Sequence, residues 1–182
     1  RRLMTKPLEV GSKIKRCFLR AIALSVPTLG SAKLPTSSYA RSRMSEHMSE
    51  IKRVGILGSG IMGAGLAEVA ARAGYDVVVR SRSLDAANEM MATIDKGFVK
   101  AIARGKSTEE VRAAVLGRIT ATDQLADVAD CDLVIESVIE DLNIKLGLFT
   151  ELDRVVKAGA ILATNTSTLP VIELAKATQR PE

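Results

Sequence analysis

From Lys52 onward the chain alternates short apolar runs with longer stretches in which apolar residues recur every three or four positions. Arg53-Val54-Gly55-Ile56-Leu57 reads as a buried strand, and residues 61–73 as a helix with Ile61, Leu66, Val69 and Ala73 near one face. Asp76 to Val79 is a second strand. A long helix follows from Leu84 to Arg104, with Leu84, Ala87, Met91, Ile94, Phe98 and Ile102 at helical spacing, and a shorter one covers Ser107 to Leu116. Ser107-Thr108-Glu109-Glu110 supplies hydroxyls ahead of acids, the residue types that open a helix. Strands over Arg118–Ala121, Asp132–Ile135 and Ala160–Ala163 follow, with helices over Asn143–Val156 and Pro170–Thr178 between and after the last two. Strands that are apolar throughout, separated by helices, need cover on both faces. The expected fold is therefore α/β, a doubly wound, mostly parallel sheet with helices on both sides.

Residues 1–50 break this pattern. They are rich in Arg and Ser and hold a short apolar stretch from Cys17 to Val26, interrupted by Arg20 and closed by Pro27, too short to span a bilayer. The composition resembles a mitochondrial transit peptide, yet Met44 and Met48 stand just ahead of the first strand, where a compact protein would naturally begin. We read 1–50 as a basic, disordered extension and 51–182 as one domain, which suits the cytoplasm; a transit peptide over 1–43 would instead direct the protein to the mitochondrial matrix.

The same division disposes of a nucleic-acid partner. The net charge is +5, but residues 1–50 hold ten Lys or Arg against three Glu, a balance of +7, and the rest sits at −2. A mildly acidic domain without Trp offers neither a cationic track nor stacking surface for bases. Cys17 and Cys131 are too few and too far apart for a disulfide framework or a metal cluster, and Cys131, beside an apolar strand, reads as an inert buried thiol. No metal site and no membrane association are expected.

Gly58-Ser59-Gly60-Ile61-Met62-Gly63 is G-x-G-x-x-G set between a strand and a helix. Gly58 permits the tight turn, Gly60 lets the backbone approach a diphosphate, and Gly63 allows close helix–strand packing, while the amides of Ile61 and Met62 open the helix toward the anion. This is the fingerprint of a dinucleotide-binding Rossmann domain, with a nicotinamide or a flavin cofactor equally admissible at this point. An acid about 20 residues further on normally holds the adenosine ribose. Here Arg80-Ser81-Arg82 takes its place. Two guanidiniums and a hydroxyl suit a 2′-phosphate, so the cofactor is expected to be NAD(P) with NADP favoured; the alternative is that Arg80 and Arg82 are solvated loop cations.

Asp132-Leu133-Val134-Ile135-Glu136-Ser137-Val138-Ile139-Glu140-Asp141, then Lys145 and Phe149, then Ala163-Thr164-Asn165-Thr166-Ser167-Thr168-Leu169-Pro170, resembles the 3-hydroxyacyl-CoA dehydrogenase family over residues 52–182. The resemblance implies that Glu140 and Lys145 touch the cofactor, that Ser167 hydrogen-bonds the substrate's 3-oxygen, and that Asn165 shapes the loop beside the cofactor. It also implies that Lys100 or Arg104 meets the phosphates of coenzyme A. Residue chemistry alone leaves Glu140 and Lys145 as an exposed ion pair, Ser167 as a helix N-cap and the Lys100–Arg104 stripe as a solvated face.

That family moves a hydride between C3 of an acyl-CoA and the nicotinamide while a His, oriented by a Glu, takes the hydroxyl proton. The single histidine, His47, precedes the first strand, and the chain ends at Arg180-Pro181-Glu182, ahead of where the family's His would fall. The expectation is a cofactor-binding half that turns over poorly by itself, with a helical domain that completes the site and forms a homodimer absent. Other β-hydroxyacid or sugar-acid dehydrogenases, and a non-catalytic nucleotide-binding module, share the fold and stay open.

Overall fold

A computed structural model describes residues 51–180, and the leader anticipated at 1–50 lies outside them. Five strands, β1 (Arg53–Leu57), β2 (Asp76–Arg80), β3 (Ile119–Thr122), β4 (Leu133–Glu136) and β5 (Ile161–Thr164), form one sheet in the order β3-β2-β1-β4-β5. Every neighbouring pair is parallel. The helices are α1 (Ile61–Arg72), α2 (Leu84–Ala103), α3 (Glu109–Leu116), α4 (Leu142–Val155) and α5 (Val171–Lys176), with a 3₁₀ turn at Leu125–Val128.

Alternation along each strand builds two cores. Val54, Ile56, Val77, Val79, Leu133 and Ile135 project to one face, where α1 and α2 supply Ala67, Ala70, Ile94 and Phe98. Leu57, Val78 and Val134 project to the other, against Leu152 of α4, Val156, Val128 and Cys131. The central strands β1, β2 and β4 are buried on both sides, which is why they read as apolar runs without polar alternation. The doubly wound sheet expected from the sequence is thus the fold observed.

Three helix starts are fixed by side chains. Ser83 Oγ accepts from Ala86 N, Thr108 Oγ1 from Val111 N, and Asp141 Oδ1 from Ile144 N. Each satisfies an amide that the first turn leaves unpaired.

Two expectations need correction. The buried face of α1 is Gly63, Ala67, Ala70 and Ala71, whereas Ile61 is 93% exposed and Val69 is exposed too. The helix lies so close to β1 that a Cβ at Gly63 would overlap the Gly58 carbonyl oxygen. Only small residues fit that interface, and the larger ones turn outward. The second correction concerns strand ends: β2 runs on to Arg80, β3 to Thr122, β4 to Glu136 and β5 to Thr164, each one residue past the apolar run. The ladder pairs Leu57 with Arg80 and Glu136, Arg80 with Thr122, and Glu136 with Thr164, so a polar row crosses the carboxyl edge of the sheet.

Candidate functional site

β1 is flanked by β2 on one side and β4 on the other, so the chain reverses its direction of winding there, and the crevice beyond the strand ends is where such sheets bind ligands. A cavity of about 800 Å³ occupies that position. Its floor is the turn Gly58–Met62, one wall is Arg80–Ser83 at the end of β2, and the other is Ser137–Ile139 after β4 with Asn165 after β5. Ile144, Gly147 and Leu148 of α4 complete an apolar flank. The volume falls within the range of small-molecule and cofactor pockets.

The turn is shaped for an anion. Gly58 adopts φ +113°, a region that disfavours side chains, and a Cβ there would also strike the Ser137 carbonyl. Gly60 is different: its backbone is extended and a Cβ would meet nothing, so its missing side chain leaves room in the cavity rather than relief inside the fold. α1 has no side-chain cap and no acid in its first turn, so its opening amides and partial positive charge face the cavity uncompensated. These features fit a dinucleotide diphosphate.

At the end of β2, Ser81 is buried and its Oγ lies 2.8 Å from Ser59 Oγ, joining the glycine turn to the second strand. Arg80 Nε donates to the Asp123 carbonyl at 3.2 Å, which holds the guanidinium along the carboxyl edge. Arg82 is exposed at the rim. Among the described residues the only carboxylate lining the cavity is Glu151 of α4.

On the opposite side, Glu136 and Lys145 are fully excluded from solvent, with Lys145 Nζ 2.9 Å from Glu136 Oε2 and 2.8 Å from Glu140 Oε2. Glu136 also accepts from Val138 N at 2.6 Å and Thr164 Oγ1 at 2.6 Å. Glu140 Oε1 accepts from Thr166 Oγ1 and, at 3.0 Å, from Thr168 Oγ1. Hydrogen bonds from Lys145 and then Thr166 hold the Glu140 carboxyl down at about 2. Ser167 stands exposed between the two threonines.

Of the anticipated site residues, Gly58, Gly60, Ile61, Met62, Arg80, Ser81, Arg82 and Asn165 line the cavity together, and Gly63 packs beneath it. Glu140, Lys145 and Ser167 do not line it; Lys145 and Glu140 are joined to each other, and Glu140 to the threonines on either side of Ser167. Lys145 is not an exposed partner of Glu140 but a buried one, and the N-cap of α5 is Pro170, so Ser167 caps nothing. Lys100 and Arg104 sit at the far end of α2, Lys100 fourteen residues beyond the cavity-lining Ala86, or about 21 Å along the helix. Sequence reasoning passed over Ser59, Glu136, Thr164, Thr166 and Thr168. Glu136 is the one with a legible signal, a carboxylate ending an otherwise apolar strand.

Residues 53–182 match the model of the 3-hydroxyacyl-CoA dehydrogenase NAD-binding domain. The chain is 46% identical over 132 residues to a 3-hydroxybutyryl-CoA dehydrogenase of Bradyrhizobium diazoefficiens, covering 72% of this chain and 45% of that protein. It is 38% identical over 130 residues to the enzyme of the same name from Clostridioides difficile, covering 71% and 46%. The crystal structure of (S)-3-hydroxybutyryl-CoA dehydrogenase from Ralstonia eutropha superposes with a TM-score of 0.71 at 33% identity, over 72% of this chain and 47% of that one. The chain thus spans a little under half the length of these relatives. Among the described residues no helix is long and apolar enough to cross a membrane. By its glycine turn, its parallel sheet and the match from Arg53 onward, the chain belongs to the 3-hydroxyacyl-CoA dehydrogenase family, in which it corresponds to the NAD-binding domain.

Proposed function

We propose that this domain holds NAD(P) for the reversible oxidation of an (S)-3-hydroxyacyl-CoA, 3-hydroxybutyryl-CoA in the first instance, to the 3-oxoacyl-CoA. The observation that carries the reading is the continuity of one cavity from the glycine turn to Asn165, two residues from Ser167. The bound nicotinamide supplies the hydride acceptor. The chain's own residues bind and orient: the α1 amides bind the diphosphate, Arg80–Arg82 seat the adenosine ribose, and Ser167 donates to the 3-oxygen and orients C3.

The finer preference is for NADP. Ser81 and Arg82 present a hydroxyl and a guanidinium where an acid would otherwise take the ribose hydroxyls, and among the described residues no carboxylate lines the cavity at the end of β2. Arg80, steadied by the Asp123 carbonyl, adds positive charge on the same edge. A 2′-phosphate meets two cations there.

Calorimetric titration of the chain with NADPH and NADH tests both levels. Binding of either supports the domain's role, and tighter NADPH binding supports the finer preference. Failure of both to bind removes the reading. Activity on 3-hydroxybutyryl-CoA but not on free 3-hydroxybutyrate, assayed with the whole protein, separates an acyl-CoA substrate from a free hydroxy acid.

A further inference from the structure

A buried charged group lies at the carboxyl end of β4, outside the lining of the cavity. Glu136 and Lys145 have no solvent exposure, and three carboxylate-accepted hydrogen bonds, from Val138 N, Lys145 Nζ and Thr164 Oγ1, converge on Glu136. A neighbouring apolar pair would fill this space without the desolvation cost that buried charges carry. What the charges provide is direction. Lys145, on the first turn of α4, reaches back to Glu136 at the end of β4 and across to Glu140 in the loop between them. Glu140 then takes the hydroxyls of Thr166 and Thr168, the residues on either side of Ser167. The backbone repeats the tie, since Asn165 N donates to the Glu136 carbonyl at 2.8 Å.

We propose that Glu136 is a positioning residue for the reacting end of the site: through Lys145 and Glu140 it fixes the loop that presents Asn165 and Ser167. The inference rests on the dinucleotide reading given above. Its consequence is a division of labour across the sheet. The adenosine half of the cofactor depends on the glycine turn and on Arg80–Arg82, on the β2 side, and the nicotinamide half on the β4 and β5 loops that Glu136 secures. Disturbing Glu136 should therefore weaken one half of the ligand and spare the other, which a merely stabilising ion pair would not do.

The test compares NADH with ADP-ribose, which lacks the nicotinamide, by calorimetry on the chain and its variants. Glu136→Gln keeps the shape and removes the charge. It should raise the Kd for NADH about tenfold or more while leaving that for ADP-ribose within about twofold. Because taking one of its two carboxylates from a buried ammonium can unfold the domain, the double variant Glu136→Gln/Lys145→Met is measured alongside; with both buried charges gone, the melting temperature should recover. If the NADH-to-ADP-ribose ratio stays raised in the stable double variant, the Glu136–Lys145 pair positions the loop, and the same rise in Glu136→Gln, where Lys145 is intact, assigns the effect to Glu136. A wild-type ratio in that variant overturns the proposal and leaves the pair with a stabilising role only. If neither NADPH nor NADH binds the unsubstituted chain, the dinucleotide reading falls and takes this inference with it.

Discussion

The hydroxyls of Ser59 and Ser81 meet at 2.8 Å, linking the glycine turn to the end of β2, the two edges proposed to hold the diphosphate and the adenosine ribose. Ser81 is buried, so any residue placed there is held against Ser59 rather than free to swing into solvent. An aspartate at 81 would accept from Ser59 and set a carboxylate at the ribose. It would repel a 2′-phosphate and accept from free ribose hydroxyls. Ser81→Asp should thus lower affinity for NADPH about tenfold or more and raise that for NADH, a change of sign in their difference. An unchanged ratio of the two dissociation constants would place the adenosine ribose elsewhere.

Gly60 and Gly63 belong to one motif but should fail in different ways. A Cβ at Gly60 meets no protein atom, so Gly60→Val should fold with a urea midpoint close to that of the parent and lose nucleotide binding. A Cβ at Gly63 runs into the Gly58 carbonyl, and α1 must move off β1 to admit it. Gly63→Ala should cost about 1–3 kcal/mol of stability. Nucleotide binding retained by Gly60→Val would mean that the diphosphate does not approach this backbone.

The core was legible because strands buried on both faces must be apolar without interruption, and Val54–Leu57, Val77–Val79 and Leu133–Ile135 are. The order of elements then dictated a parallel sheet. The glycine turn was legible because a positive φ demands glycine at Gly58 and the Gly58 carbonyl leaves no room for a Cβ at Gly63. What could not be read was the last residue of each strand. Arg80, Thr122, Glu136 and Thr164 are polar, so hydrophobic runs stop before them, yet they remain in the ladder and form the row on which the site is built. The inward face of α1 was misread for a related reason. Close packing on β1 selects alanine over isoleucine, and a periodicity search rewards the opposite. Residue chemistry alone puts Lys145 at the surface because lysine usually is there; its burial depends on Glu136, nine residues away on another element, and Glu140.

Cys131 illustrates a reading from local sequence that the packing supports. It is buried beside Val128 and Val134, and burial pushes its thiol up to about 11. At pH 8 very little thiolate forms, and what forms is shielded from reagent. Iodoacetamide should leave Cys131 unmodified in the native chain and label it in urea, read at that residue by mass spectrometry. Modification under native conditions at a rate near that in urea would mean that the face covered by α4 opens readily.

Glu140 should give this domain a distinct acid response. Its carboxyl lies at about 2 in the folded chain against an ordinary 4.5, first because Lys145 donates to it and then because Thr166 does. A folded value below the unfolded one means that the unfolded chain binds the proton more readily. The stabilisation is therefore complete above about pH 5, declines as pH falls through 4.5, and is gone near 2. Other carboxyls held low, Asp132 and Asp153 among them, tilt the whole curve the same way, so the parent alone cannot isolate Glu140. The difference between parent and Glu140→Gln can. Urea unfolding of both from pH 7 down to 2.5 should show a constant gap above pH 5 that narrows steadily below it. Because Glu140 is 39% exposed, 1 M salt should shrink the gap at neutral pH. A gap that is independent of pH would mean that the carboxylate at 140 is not bound by Lys145 and the threonines in solution, and that the loop carrying Ser167 is held by its backbone alone.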